Sequence, residues 1–465
     1  SELAQWEYGL FVQDDFKLRR DFVLTFGLRY DYQTRPGVTD DRVFNWASPP
    51  GFFGAGVLLP PNDPYEADKN NFSPRAGFAW TVGSSQKTVI RGGAGMMHNR
   101  INLRAGISGT VLNGPDEPFR FIFSTQEIAA NNIKWPDSNA TTLPIVKQLG
   151  LVSGGVISDQ IENPYSMQWS LFIERQIGSG MVFETGYAGS RGVKLIMQHR
   201  PNQPDRVTGI RPYPQFSDYN WADGSDSSRY HAWQTSLRKR FAKGLLFNAH
   251  YTWSNSYSYF IGDIRESNQD VPQDEGNLRA EGGPSPYDIR HRFSANSVYE
   301  LFADRLSGTS GLKRLLLAGW QIGGIFNWQS AIPINVTQSS TRANSRPDTT
   351  GRDPYLADWE TTLRWLDRAA FVNVPTYSST GQPIRPGNLG KRALRGPGLV
   401  TLDLSLAKNL KFTEAVNFQI RADLLNSLNH TNFNNISSQT TSGSFGQIIG
   451  AAPARIVQLN LRLTF

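Results

Sequence analysis

Along much of this chain, apolar and polar side chains alternate one by one. Val457, Leu459, Leu461, Leu463 and Phe465 are separated by Gln458, Asn460, Arg462 and Thr464. Val416, Phe418, Ile420, Ala422 and Leu424 are separated by Asn417, Gln419, Arg421 and Asp423, and Leu402, Leu404 and Leu406 follow Thr401, Asp403 and Ser405. The same beat runs through Leu245, Phe247, Ala249, Tyr251 and Trp253, through Trp320, Ile322, Gly324, Phe326 and Trp328, and through Phe22, Leu24, Phe26, Leu28 and Tyr30. Successive side chains of an extended strand point to opposite faces, so each segment has one face for apolar surroundings and one for water. Each run is about ten residues, the length of a tilted strand that crosses a bilayer. The template predicts about 13 strands, near 6–16, 21–32, 74–82, 88–97, 164–177, 180–190, 229–241, 244–256, 288–302, 316–330, 399–409, 415–427 and 454–465.

A soluble β-sandwich also alternates, and two features favour a membrane barrel instead. Aromatic residues gather at strand ends, as in Tyr30 and Tyr32, Tyr251 and Trp253, and Trp320 and Trp328, like the girdles at the two membrane interfaces. Connections also alternate in length. Phe16 to Asp21, Gln176 to Gly180 and Arg240 to Gly244 read as tight turns, whereas 33–73, 98–163, 191–228, 255–287, 331–398 and 428–453 are long and rich in Gly, Pro, Asn and Asp. Such loops count against a compact soluble domain and suit a barrel with short periplasmic turns and long outer loops. A helix is expected only within one loop, from Tyr355 to Phe371. Single-chain bacterial barrels usually have an even strand number, so the odd count implies a missed strand or part of a larger barrel. The predicted fold is an all-β, antiparallel, up-and-down transmembrane barrel.

Composition agrees. The mean hydropathy of −0.41 looks soluble, but barrel strands show lipid only every second side chain. No apolar run approaches the ~18 residues of a membrane helix, and Leu315 to Trp320 is far too short. With no Cys in 465 residues, disulfides, thiolate metal sites and cysteine nucleophiles are excluded. The net charge of +7 fits solvated loops or attraction to anionic lipid or solute. No dense basic block of the nucleic-acid type occurs. Ser1 to Gln5 carries no signal peptide, so a leader has been removed or the chain begins partway through a longer precursor.

Enzyme motifs are poor. His98, His199, His231, His250, His291 and His430 are scattered, and neither a zinc-protease helix motif nor a nucleophile elbow occurs. Gly92-Gly93-Ala94-Gly95 lies within a strand pattern, and Gly390-Lys391 is followed by Arg392 rather than a hydroxyl residue, so neither reads as a phosphate loop. Asp218, Asp223 and Asp226 share one loop, and Asp263, Glu266, Asp270, Asp274 and Glu275 another. Oxygen-rich loops hold calcium in some proteins, but these spacings fit no EF-hand, and solvated charge is the plainer reading. Arg238-Lys239-Arg240 ends a hairpin, suited to a lipid phosphate or simply to water. No catalytic residue, metal ligand or cofactor site is predicted.

Several stretches resemble TonB-dependent receptors, and the Oar-like group in particular. They are EYGLFVQDDFKLRRDFVLTFGLRYDY (7–32), NNFSPRAGFAW (70–80), NPYSMQWSLFIERQI followed by GYAGSRG (163–192), YHAWQTSLRKRF (230–241), HRFSANSVYEL (291–301), LRGPGLVTLDLSLAKNL (394–410), FQIRADLLNSLNHTNF (418–433) and the terminal RIVQLNLRLTF. The resemblance covers nearly the whole chain. Each motif alone is loose, but their order is specific. It implies a barrel of about 22 strands with a plugged lumen, of which this chain supplies the C-terminal part. No plug, energy-coupling box or N-terminal regulatory-like domain is recognisable here. The chain is expected to be part of a longer barrel, a proteolytic fragment or one piece of a split protein. Leu459, Leu461, Leu463 and Phe465 resemble the C-terminal signal read by the barrel-assembly machinery. Implied partners are outer-membrane lipid and lipopolysaccharide, a plug of the same protein, the TonB complex and an unknown surface partner.

The expected function is energy-coupled uptake across the bacterial outer membrane, with this chain as wall and solute-capturing loops. The alternative is a structural or adhesion platform whose loops bind a protein or polymer. Tyr213, Tyr219, Trp221 and Tyr259 are the loop aromatics placed to stack on a sugar or aromatic ligand, or equally to pack the loops together.

Overall fold

The computed structural model describes residues 3–38, 65–101, 152–178, 180–212, 216–259, 271–301, 316–342, 344–413 and 415–465, with backbone only at 3, 38, 152–156 and 216–220. Thirteen strands follow one another in sequence order along a single sheet path. They are β1 (Glu7–Arg19), β2 (Phe22–Gln33), β3 (Phe72–Val82), β4 (Thr88–His98), β5 (Tyr165–Ile177), β6 (Met181–His199), β7 (Phe216–Ala242), β8 (Leu245–Ser258), β9 (His291–Glu300), β10 (Trp320–Gln329), β11 (Leu399–Lys411), β12 (Asn417–Leu425) and β13 (Ile456–Thr464). Every neighbouring pair on the path is antiparallel. These are the thirteen strands the alternation predicts. Among the described residues the path ends at β1 and β13, each with one outer edge unpaired.

Register places like with like. Phe418, Ile420, Ala422 and Leu424 of β12 face Leu463, Leu461, Leu459 and Val457 of β13, while Gln419, Arg421 and Asp423 face Arg462, Asn460 and Gln458. One face therefore presents a continuous apolar surface and the other a polar one. On the polar face Arg91, Glu174, Glu184 and Arg238, from β4, β5, β6 and β7, form one ion network, with Arg238 Nη2 3.1 Å from Glu174 Oε2 and Arg91 bonded to Glu184. Asp423 accepts from Arg421 Nε at 2.7 Å and from Asn460 Nδ2 at 2.9 Å. The apolar face carries rings at both ends: Phe22 stacks near Phe78 at 6.2 Å by the short turns, and Tyr30 meets Phe72 at 4.8 Å by the long connections. Lys408 also lies on this face, its ammonium over the Trp320 ring at 5.2 Å and donating to Leu316 O at 3.0 Å. Its stem covers apolar surface while its charge is satisfied at the rim.

Turn chemistry holds the short end. Lys243 and Gly244 have φ of 52° and 75°, the paired left-handed conformation of a type I′ hairpin, whose twist matches the flanking strands. At the other end, β6 and β7 run 19 and 27 residues, well past the bounds near 190 and 229 that alternation marks. The ladder reaches Trp221 opposite His199, with irregular register around Asp223 and Asp226. The run from Asp223 to Ser228 is all Gly, Ser and Asp, poor strand formers, and above the apolar band nothing requires two unlike faces. The helix expected over Tyr355 to Phe371 is reduced to a four-residue turn at Trp359–Thr362 and a 3-10 turn at Arg368–Ala370. Leu363 between them is left-handed, with φ of 52°, which ends the first turn.

The buried apolar cluster lies above the sheet rather than in it. Val336, Leu366, Ala370, Phe371, Leu389 and Leu394, from the connection between β10 and β11, close around Phe445 from the connection between β12 and β13. Phe371 meets Phe445 edge to face at 5.4 Å and 80°, a favoured aromatic geometry. The long connections thus fold on one another as a crown with a core of its own.

Candidate functional site: the crown of long connections

Three polar centres tie the crown together. The first is Glu281, wholly buried, which receives Arg346 through two parallel bonds of 2.9 and 3.0 Å. Lys391 lies 4.0 Å from the same carboxylate and donates to Tyr259 O at 2.9 Å. Arg346 Nε donates to Leu389 O at 2.9 Å, and Gln273 N donates to Glu281 Oε1 at 3.2 Å. A buried ion set is tolerable only when its remaining polar atoms are satisfied, and these bonds satisfy them. Gly387 allows the approach, since a Cβ there would run into the carbonyl oxygens of Arg346 and Pro347.

The second centre is Asp288, which pairs with Arg395 and with Arg290 Nε at 3.2 Å and accepts from Ser256 N at 2.6 Å. It fastens the connection after β8 to the one after β10. The third is His199 at the tip of β6. Its Nδ1 lies 2.9 Å from Glu275 Oε2 and its Nε2 3.1 Å from Asp223 Oδ1, while its ring tilts against Trp221 at 5.2 Å. Burial pushes the imidazole pKa down, but the bonds to Asp223 and Glu275 outweigh it and raise it to about 9. The imidazolium therefore bridges two carboxylates, one from β7 and one from the connection after β8.

Beside this third centre lies a pocket of about 440 Å³. The connection after β6 supplies Arg200, Gln203, Thr208 and Arg211, and the connection after β10 supplies Thr341, Arg342, Ser379, Thr380 and Gln382. Burial, reinforced by the positive charge of Arg206, lowers the Arg342 pKa to about 10. A separate recess of about 760 Å³, bordered by Arg29, Asp31, Arg75 and His98, lies against β2 to β7.

Of the aromatics singled out in the sequence, Tyr213 lies outside the described residues and Tyr219 is described by its backbone alone. Trp221 packs on His199, and Tyr259 meets Tyr257 edge-on at 5.8 Å and 87°. Leu459, Leu461, Leu463 and Phe465 are exposed on the apolar face and at the end of the last strand, Phe465 at 93%. Of the acidic loops, Asp223 and Glu275 are engaged by His199. Asp263, Glu266 and Asp270 lie outside the described residues. Among the described residues no group of three or more His, Asp or Glu is arranged to hold a metal ion.

The Glu281 centre and the Arg342 pocket escaped sequence reading. Their partners are 65 residues apart for Arg346 and Glu281, and 139 for Arg342 and Gln203, with no periodicity to announce them. The local signal is only the spaced arginines Arg200, Arg206 and Arg211 in one loop and Arg342 and Arg346 in another.

The family model described as an outer membrane beta barrel domain matches residues 1–458. The structure is similar to the outer membrane transporter YddB from Escherichia coli, with a TM-score of 0.55 at 13% identity over 98% of this chain and 45% of that one. It is also similar to the ferripyoverdine receptor of the outer membrane of Pseudomonas aeruginosa, with a TM-score of 0.49 at 10% identity over 100% of this chain and 39% of that one. This chain thus spans less than half the length of either. Comparison with curated protein sequences gives no match.

Proposed function

Because the chain belongs to the outer membrane beta barrel domain family and so resides in the bacterial outer membrane, we propose that it forms the wall and the solute-capturing crown of a TonB-dependent transporter of the Oar-like group. The observation that carries this reading is the crown itself. Two long connections bury a shared apolar cluster, and ion centres lock their neighbours to them. A barrel that only anchored itself in lipid needs no such structure on its outer end. The polar face adds support: the Arg91, Glu174, Glu184 and Arg238 network suits a water-filled lumen that meets a plug.

In this reading the open edges of β1 and β13 are completed by further strands, to about 22 in all, with a plug inside them. The plug answers to the TonB complex, which draws on the proton gradient. The apolar face meets outer-membrane lipid and lipopolysaccharide. The exposed Leu459, Leu461, Leu463 and Phe465 serve first as the segment read by the assembly machinery. No covalent step is asked of any residue.

The test compares cells carrying the full protein with cells in which residues 331–398 are replaced by a short Gly turn. Depletion of a solute mixture from the medium is followed with and without a protonophore. A solute whose uptake needs both the crown and the proton gradient is expected. Uptake that is indifferent to both overturns transport. Loss of cell attachment without any change in uptake would favour the platform.

A further inference from the structure

We infer that the crown pocket between the connection after β6 and the connection after β10 binds a small hydroxylated anion, a molecule that carries a carboxylate or phosphate beside hydroxyl groups. Among the described residues the lining holds three arginines, Arg200, Arg211 and Arg342, and no carboxylate. The nearby acids are engaged elsewhere. Asp205 caps its own turn through Val207 N at 3.0 Å and Thr208 N at 2.8 Å, Asp274 accepts from Gly276 N at 3.2 Å, and Glu275 holds His199 and Arg200 N. Arg342 bonds to the amide oxygen of Gln203, and among the described residues no carboxylate lies within ion-pair distance of it. A guanidinium held this way is charged and has further donors to give, the arrangement that suits planar or tetrahedral oxyanions.

The second observation is independent of charge. Gln382 lines the pocket and is only 2% exposed, yet its Oε1 has no hydrogen-bond partner. Gln203 turns its oxygen to Arg342, which leaves its buried Nε2 without one. Buried polar atoms are ordinarily paired, because an unpaired one costs its lost hydration. One orphan acceptor and one orphan donor beside the arginines ask for a ligand that offers both a hydroxyl and an oxygen. Thr208, Thr341 and Thr380 donate their hydroxyl hydrogens to Asp205, Thr380 O and Arg206 O, which leaves their oxygens as acceptors for a ligand hydroxyl. An apolar or aromatic ligand finds little to cover here. The volume of about 440 Å³ lies within the small-molecule range and admits a single sugar ring with its anionic group.

The inference deepens the capture role proposed above, but its measurement needs no transport, so either can fail alone. Detergent-solubilised full-length protein is titrated calorimetrically with glucose 6-phosphate and with glucuronate, with glucose as the neutral comparator. Both anions are expected to bind and to weaken with added salt, while glucose gives no heat of binding. Arg342→Gln should weaken both anions roughly tenfold or more, the scale of a lost charge-assisted hydrogen bond. Arg342→Lys should recover part of that loss. Gln382→Leu should weaken glucose 6-phosphate and leave inorganic phosphate unchanged, with limited proteolysis confirming that each variant keeps its crown. Glucose binding as well as its phosphate, absence of anion binding at millimolar concentration, or an Arg342→Gln variant that binds like the parent would each overturn the inference. Competitive displacement by lipopolysaccharide would assign the arginines to a lipid headgroup and overturn a free solute.

Discussion

The wall and the crown of this molecule are held together by opposite means. In the wall, twelve antiparallel pairings join the thirteen strands, and the apolar side chains face outward, as with Leu459 and Leu461 of β13. Its hydrophobic partner is the bilayer, so its strands need no inner core. In the crown the apolar side chains turn inward on Phe445, and charges are buried among them, with Glu281 and Arg346 at 0 and 1% side-chain exposure. A wall strand tolerates change wherever it faces water. The crown tolerates little, because each buried charge depends on its partner.

The largest break in that comparison is Glu281→Ala. It leaves the buried Arg346 without the carboxylate it pairs with and takes the same carboxylate from beside Lys391, a change that typically costs about 3–5 kcal/mol. The crown should open while the wall survives. Protease susceptibility in 271–290 and 331–398 should rise sharply, and the heat-modifiable migration of the folded barrel on gels should persist. Concerted loss of both would mean that crown and wall are one cooperative unit. Next in size, Leu461→Arg places a charge on the lipid-facing side of β13, at about 2–4 kcal/mol near the midplane. Asn460→Arg, one residue away and beside Asp423, should cost less than about 1 kcal/mol. Urea titration of the protein folded in vesicles reads both, and equal costs would remove the assignment of faces.

The same contrast explains what the sequence disclosed. Wall strands are written in a period of two because each must present unlike faces to lipid and water, so Val457 to Phe465 can be read without a structure. The extension of β6 to His199 could not be read so, since above the membrane both faces meet polar surroundings and the code lapses. The crown's contacts are long-range. Nothing near Glu281 in sequence names Arg346, and nothing near Phe371 names Phe445. The loop aromatics were visible as residues, but whether Trp221 meets a ligand or His199 is decided by a strand pairing that local pattern does not encode.

One further effect turns on pH and separates crown from wall without any substitution. His199 is raised from an ordinary value of 6.5 to about 9 by Asp223 and Glu275. Its proton is bound more tightly in the folded crown than in an unfolded loop, so the contribution is fully present below about pH 6.5. It is lost as the pH climbs through about 9, where the folded imidazolium itself gives up its proton. Over that window the crown should lose on the order of 3 kcal/mol, which hydrogen exchange around 197–200 and 273–277 would register as faster opening. The wall ladder between β11 and β12 should be indifferent to the same change. His199→Gln keeps a hydrogen bond to one carboxylate but cannot titrate, so it should begin less stable and lose the pH dependence of those segments. A variant that retains the full dependence would transfer it to another group and leave His199 as packing against Trp221.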